Sequence, residues 1–186
     1  MAGRISTEKI VWTTELTHQF SHAKDQLSSH KSITIPTPSD RVWIVTDGAL
    51  KSPGLGATMY VTRGDGPRLL AGFYSTKLHK RQVDWISSEV EALSIAAAVS
   101  HFSPFIVQSQ HRTIVMSDSK PCVDAFAKLC RGEFSLSACV VTFLTTLSRY
   151  QCEIRHLKWI NNVLSDYQSR NANICDEIHC EICTFV

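Results

Sequence analysis

Three segments in the first half of the chain carry the β-branched and aromatic residues that are typical of strands. They are RVWIVTD (41–47), GLGATMYVT (54–62) and RLLAGFYS (68–75). The residues RGDG between the second and third segments are a hairpin signal. Apolar residues at helical spacing precede the strands and predict an amphipathic helix over residues 12–30. Pro36 and Pro38 then interrupt regular structure, so the first half predicts a helix followed by three antiparallel strands.

The second half alternates between helical and strand patterns. Helices are predicted over 87–102, 119–129 and 135–150, and strands over RTIVMSD (112–118) and CEIRHL (152–157). A loop then leads into a final short helix that contains Asp166. This element order predicts an α/β fold with a mixed five-stranded sheet, in the order 3-2-1-4-5, flanked by helices. The first and fourth strands are then parallel neighbours.

Acidic residues converge at one end of this sheet. Asp47 and Asp118 end the two neighbouring parallel strands, where ligand sites of open α/β sheets are found. The helix over 87–102 carries Glu89 and Glu91, which point about 200° apart on a helix. Glu89 shares a face with small apolar residues, which predicts that Glu89 is buried and that Glu91 lies toward solvent. Taken singly, each acid has an ordinary reading as a turn former, a cap or a first-turn carboxylate.

Asp47, Glu89, Asp118 and Asp166 are expected to face one another at this end of the sheet. Four such carboxylates repel one another, and burying them is costly unless a cation compensates. Divalent cations with oxygen ligands would do so. Magnesium uses few protein carboxylates and completes its shell with waters and phosphates. Two such ions about 4 Å apart stabilise both oxygens of an in-line phosphoryl displacement. The set therefore predicts a two-ion Mg²⁺ site, in which Mn²⁺ substitutes.

Composition narrows the class of protein only slightly. The 186 residues suit one domain with a core, and the net charge of +2 is too small to indicate nucleic-acid binding by itself. No apolar run reaches the roughly 18 residues that a membrane helix needs, and the N-terminus lacks the apolar core of a signal peptide. We therefore expect no membrane contact. Four cysteines fall in predicted core elements, which favours reduced thiols and an intracellular chain; they are Cys122, Cys130, Cys139 and Cys152.

The ordered motifs resemble the ribonuclease H domain of reverse transcriptases from gypsy-type long-terminal-repeat retrotransposons. The similar segments are VTDGALKSPGLGATMY, FYSTKL, SSEVEALSIA, VMSDSKP and IRHLKWINNVLSDYQSR. The resemblance implies a ribonuclease H-like fold and an endonuclease that cuts the RNA strand of RNA–DNA hybrids and leaves a 5′ phosphate. It assigns the metal-binding, catalytic roles to Asp47, Glu89, Asp118 and Asp166. The family's glutamate stands in an E-x-x-A pattern, which Glu89 and Ala92 match.

Some positions depart from the family pattern. Gly48 and Ala49 replace the usual Ala-Ser after the first aspartate, and Lys158 and Trp159 stand where Pro-Gly is common. Ser165 replaces the usual alanine before the last aspartate. Because the hybrid is recognised by groove shape and 2′-hydroxyls, residues around the acids are candidates for substrate binding. These candidates are Gly48, Ala49, Ser119, Lys120, Asn161, Asn162 and Arg170.

The resemblance also implies a domain organisation. Residues 1–40 resemble the connection segment that follows the polymerase, 41–171 the ribonuclease H domain, and 172–186 the linker that precedes integrase. We therefore expect a piece of a larger polyprotein that acts with an attached or associated reverse transcriptase polymerase. The parent element would be cytoplasmic, in a virus-like particle. The Cys-containing tail is either a linker or a zinc site, and its possible ligands are Cys175, His179, Cys180 and Cys183.

Two alternatives to an active ribonuclease H stay open. One is a catalytically silent or domesticated domain that serves as a structural or protein-interaction module. The other is a DNA nuclease or transposase of the same fold, although integrase-like cores use three carboxylates at other spacings.

Overall fold

The computed structural model describes residues 11–29, 33–51, 53–79, 82, 84–133, 137–158 and 161–172. The chain divides into two compact units, Met1–Ser32 and Ile33–Val186. The first unit contains helix α1, Thr14–Ser29. The possible zinc ligands of the tail lie outside the described residues.

The second unit is built on one five-stranded sheet. Its strands are β1 Arg41–Ala49, β2 Gly54–Thr62, β3 Leu69–Lys77, β4 Thr113–Ser117 and β5 Cys152–His156. Their order is β3-β2-β1-β4-β5, which confirms the predicted topology. The pairs β1–β2 and β2–β3 are antiparallel, whereas β1–β4 and β4–β5 are parallel. β1 and β4 therefore end at the same edge of the sheet.

Five α-helices of this unit lie within the described residues. They are α2 Ser87–His101, α3 Ser103–Gln108, α4 Lys120–Leu129, α5 Ala138–Thr146 and α6 Val163–Arg170. The prediction missed α3, which starts just before Pro104, a residue tolerated in a first turn but not in a helix interior. α5 begins later than predicted, because the Ser137 hydroxyl accepts a hydrogen bond from the Val140 backbone N–H and caps the helix.

Helix α2 is buried on every side. Its residues from Val90 to Val99 are all buried, since one side packs on β1 and another on α5. On the sheet, Val42 and Ile44 of β1 are fully buried at alternate positions. The core therefore lies between the sheet and α2, and α2 is apolar around its whole circumference.

Helix α6 lies directly on the backbone of β2. A Cβ added at Gly56 would lie 2.3 Å from the Ser165 carbonyl oxygen and 2.4 Å from the Ser169 nitrogen. A Cβ at Gly54 would lie 2.2 Å from the Ser169 carbonyl oxygen. Only glycine permits this close approach, which brings the polar side chains of α6 to the end of β1.

No helix within the described ranges has both the length and the apolar character needed to span a membrane.

Candidate metal centre

Three carboxylates meet at the shared edge of β1 and β4. Asp47 lies near the end of β1, Asp118 directly follows β4, and Glu91 lies on α2. One carboxylate oxygen from each lies within 4.8 Å of the other two. Asp47 and Glu91 are buried, and Asp118 is half-buried. The strand order thus brings Asp47 and Asp118 together, as predicted.

Glu91 is buried, with only 8% of the residue exposed. Among the residues that the structure describes, its Oε2 atom has no hydrogen-bond partner. Burial raises the pKa of Glu91 to about 9, the nearby Asp47 and Asp118 carboxylates add to the rise, and a hydrogen bond from the Gly48 backbone opposes it. Glu91 is therefore protonated at neutral pH when no cation is present.

Gly48 permits this arrangement because β1 and α2 approach closely there. A Cβ at Gly48 would lie 3.0 Å from Cγ1 of Val90 and 3.1 Å from the Val90 carbonyl oxygen. Because Gly48 has no side chain, its backbone lies close enough to α2 to form a hydrogen bond with Glu91, the residue after Val90. Glycine at this position, a departure from the family pattern, thus fits the local packing.

The prediction that Glu89 is buried and that Glu91 lies toward solvent is wrong. Glu89 is half-buried in the first turn of α2, outside the group of three carboxylates. Its carboxylate accepts hydrogen bonds from the Ile86 backbone N–H, at 3.4 Å, and from the Ser137 hydroxyl, at 3.0 Å. The first contact is half of a capping box, so Glu89 stabilises the helix start. The physical reason for the error is that α2 is apolar on all sides, so periodicity could not identify the face toward Asp47.

Two side chains, one at the start of α6 and one within it, hold the carboxylate of Asp47. Asn162 Nδ2 donates to Asp47 Oδ1 at 3.1 Å, and the Ser169 hydroxyl bonds to Asp47 Oδ2. Burial raises the pKa of Asp47, the hydrogen bond from Ser169 opposes that rise, and the Asp118 and Asp166 carboxylates add to it. Asn162, predicted to bind substrate, is 2% exposed and contacts the carboxylate.

Asp166 lies at the same cavity but outside the group of three. Its Oδ1 accepts a hydrogen bond from Arg170 Nε at 2.7 Å, and Nη2 of the same guanidinium lies 2.6 Å from it in an ion pair. Both side chains are substantially exposed, at 41% for Asp166 and 58% for Arg170. The structure thus places Asp166 as a half-exposed acid paired with a cation at the rim of the cavity.

The three carboxylates open into a cavity of about 520 Å³. Among the predicted substrate-binding residues, its lining includes Gly48, Ala49, Asn162 and Arg170. Ser119 lines an adjoining recess together with Glu91 and Asp118. Two predicted residues lie elsewhere: Asn161 lines a separate cavity beside Trp43, and Lys120 is exposed at the start of α4.

Three residues at the site were missed from the sequence: Glu91, Ser169 and Lys51, which lines the cavity. Ser169 had a usable signal, because it stands in the Ser-Arg ending of the closing motif. Lys51 had none beyond its closeness to Asp47 in the chain.

The donor set fits a hard divalent cation. The three residues offer only carboxylate oxygens, which are the ligands that Mg²⁺ and Mn²⁺ prefer. The unpartnered, buried Oε2 of Glu91 is an oxygen that lacks a donor and would accept a cation. Asp47, Glu91 and Asp118 are therefore the residues that could hold the metal.

Comparisons with known proteins agree with this architecture. The chain is 24% identical over 162 residues to the enzymatic polyprotein of Figwort mosaic virus, covering 87% of the chain and 24% of that polyprotein. It thus spans about a quarter of the length of this relative.

Among solved structures, the fold resembles the foamy viral protease-reverse transcriptase in complex with an RNA/DNA hybrid, with a TM-score of 0.51 and 13% identity. This match covers 91% of the chain and 22% of the foamy viral chain. RNase H1 from Halobacterium salinarum matches with a TM-score of 0.50 and 11% identity, covering 72% of the chain and 96% of that protein. The sequence model of the RNase H-like domain found in reverse transcriptase matches residues 12–115, more than half of the chain, and the protein belongs to this family.

Proposed function

We propose that the protein is a metal-dependent endoribonuclease that cleaves the RNA strand of RNA–DNA hybrids during reverse transcription. The observation that carries this proposal is the group of three carboxylates, Asp47, Glu91 and Asp118, within 4.8 Å at the carboxyl ends of two parallel strands. Buried acids placed together without a compensating cation are costly, so a cation site explains their arrangement. Family membership supports the choice of a nuclease.

In this proposal Glu91 replaces Glu89 as the glutamate ligand, and Asp166 acts from the rim of the cavity. Two Mg²⁺ or Mn²⁺ ions, when bound, would stabilise the attacking and leaving oxygens of the phosphodiester. Asp47, Glu91 and Asp118 would hold the cation that lies between them. Asp166 has its carboxylate on the solvent side, where it would complete the second ion's shell or orient the substrate.

The substrate assignment rests on the solved relative and on the charges around the cavity. The foamy viral enzyme was solved with an RNA/DNA hybrid. Lys51 and Arg170 line the cavity here and would contact backbone phosphates on either side of the scissile bond. Phosphate contacts and groove shape would then select a hybrid without reading base sequence.

The partner would be a polymerase domain of the same polyprotein. The Figwort mosaic virus relative is itself an enzymatic polyprotein, of which the chain covers 24%. We infer that the parent element is a gypsy-type long-terminal-repeat retrotransposon, and that it works in the cytoplasm inside a virus-like particle. The motifs quoted above support this lineage.

The test is cleavage of a hybrid labelled on its RNA strand, by the chain alone and by the chain fused to its polymerase. Duplex DNA and duplex RNA of the same sequence are the controls for substrate class. We expect Mg²⁺-dependent cutting of the hybrid only, with 5′-phosphate ends. Glu91→Gln should abolish cutting, whereas its matched control Glu89→Gln should leave it nearly unchanged.

The outcomes separate the alternatives. Absence of cleavage in both forms, together with absence of Mg²⁺ and Mn²⁺ binding, would favour a silent domain that serves protein contacts. Equal cutting of duplex DNA would contradict the substrate class. Loss of activity in Glu89→Gln but not in Glu91→Gln would contradict the site as the structure builds it.

A further inference from the structure

Helix α6 buries polar side chains and exposes apolar ones, the reverse of an ordinary surface helix. Ser165 and Ser169 of the helix, and its N-cap Asn162, are at most 2% exposed. On the outer side, Val163 and Tyr167 are more than 60% exposed. Apolar burial therefore does not explain why this helix lies on β2, and its buried face must be explained by polar contacts.

Two of the three buried polar residues contact the same carboxylate. Asn162 Nδ2 donates to Asp47 Oδ1 at 3.1 Å, and the Ser169 hydroxyl bonds to Asp47 Oδ2. Each carboxylate oxygen thus has one protein donor and keeps a second lone pair free. Ser165 differs, because its hydroxyl donates to the Val45 carbonyl oxygen at 2.9 Å and lies 3.3 Å from the Thr58 hydroxyl.

The contact with Asp47 leaves the amide group of Asn162 in an unfavourable arrangement. Its Nδ2 also donates to the Thr46 carbonyl oxygen at 3.2 Å, while its buried Oδ1 has no partner among the described residues. An unpartnered buried oxygen is unfavourable, because it loses its hydrogen bonds to water and gains none. An asparagine that only anchored the helix would not need both amide hydrogens directed at β1 with its amide oxygen left unpartnered.

We propose that Asn162 and Ser169 are positioning residues that fix the carboxylate of Asp47, leaving one lone pair on each oxygen free for the cation shared with Glu91 and Asp118. This inference rests on the proposed function, since it names how α6 serves that metal site. Gly54 and Gly56 support it, because their missing side chains let the backbone of α6 at Ser169 lie directly against β2. The closing helix thus orients the site's first aspartate.

The test compares four alanine variants of the full chain by calorimetric titration with Mn²⁺. Asn162→Ala and Ser169→Ala each remove one donor to Asp47. Ser165→Ala is the matched control for Ser169, since it removes an equally buried hydroxyl from the same face, and the resemblance implies that alanine is usual there. Asn171→Ala is the control for Asn162, because Asn171 is an exposed asparagine at the other end of the helix.

We expect Asn162→Ala and Ser169→Ala to weaken Mn²⁺ binding by about tenfold or more, as is typical when a partner of a metal ligand is removed. The two control variants should stay within about twofold of the unsubstituted chain. In cleavage assays, kcat should fall in the first pair while the KM for the hybrid stays unchanged, because both side chains are almost fully buried and act on Asp47. The free energy of unfolding, measured without metal, identifies variants whose fold is damaged.

Equal Mn²⁺ affinity in Ser169→Ala and Ser165→Ala would overturn the inference, whether both weaken or neither does. Absence of Mn²⁺ binding by the unsubstituted chain would also overturn it. A chain that binds Mn²⁺ but cleaves no hybrid would contradict only the proposed function, and the affinities of the four variants would still decide the role of Asn162 and Ser169.

Discussion

Replacement of one buried carboxyl group by a neutral amide should stabilise the metal-free protein. The perturbation is Glu91→Gln, which replaces a carboxyl group by a neutral amide of the same size. Because the pKa of Glu91 rises from 4.5 to about 9, mainly through burial, folding must keep this group protonated at neutral pH. A glutamine needs no such proton uptake.

The sign and magnitude follow from proton linkage. The folded state binds one proton more than the unfolded state between pH 4.5 and about pH 9. The stabilising contribution is therefore complete below pH 4.5 and is lost as the pH rises toward 9, at about 1.4 kcal/mol per pH unit. At pH 7 the loss amounts to about 3 kcal/mol, and Glu91→Gln should be more stable than the unsubstituted chain by up to that amount.

The assay is urea unfolding in a metal chelator at several pH values from 5 to 9. The unsubstituted chain should lose stability with rising pH, and the Glu91→Gln variant should show a much flatter profile. Saturating Mg²⁺ should reverse the order, because the cation binds the ionised carboxylates and stabilises the folded state of the unsubstituted chain only.

Glu89→Gln is the matched control. Glutamine can also accept the hydrogen bond of a capping box, so this variant should keep the pH profile and lose little stability. If the pH dependence disappears in Glu89→Gln and persists in Glu91→Gln, the assignment of the buried carboxyl group is refuted. Equal Mg²⁺ stabilisation of Glu91→Gln and the unsubstituted chain would refute its role as a ligand.

Three further outcomes test the site and the packing that supports it. Asp118→Asn should reduce hybrid cleavage by at least about a hundredfold, with circular dichroism unchanged, because it removes a ligand from the group shared with Asp47. Gly56→Ala should destabilise the fold by at least about 3 kcal/mol in urea unfolding and weaken Mn²⁺ binding, since the new methyl group would overlap the backbone of α6. Phe143→Ala should cost about 3–5 kcal/mol without changing Mn²⁺ affinity, because Phe143 is 2% exposed in the core against Trp85 and lies outside the metal site.

The sheet could be predicted because its signals are local. β2 carries β-favouring residues bounded by turn residues, and its predicted range of 54–62 agrees with the structure. The strand order followed from the order of strands and helices along the chain, and it sufficed to bring Asp47 and Asp118 together. These steps need no knowledge of how particular side chains pack.

The face by which α6 packs on β2 could not be predicted in the same way. The pattern of polar and apolar residues in VLSDYQSR indicates the wrong face, since Val163 and Leu164 are exposed while Ser165 and Ser169 are buried. Hydrophobic periodicity assumes that the buried face meets an apolar surface. Here it meets the bare backbone of two glycines. The carboxylate of Asp47 accepts hydrogen bonds from the hydroxyl of Ser169 and the amide of Asn162.

The prediction of which glutamate is buried failed for a related reason, although the sequence held a better criterion than periodicity. Glu89 stands in the first turn of α2, where a carboxylate is stabilised by the free N–H groups of the helix start and needs no metal. Glu91 stands two residues further along the helix, within the run from Val90 to Val99, and every residue of that run is buried. When a helix is apolar on every side, an acid within the apolar run is the one that is buried, as a protonated group or as a ligand of a cation, and an acid before the run is the one that caps.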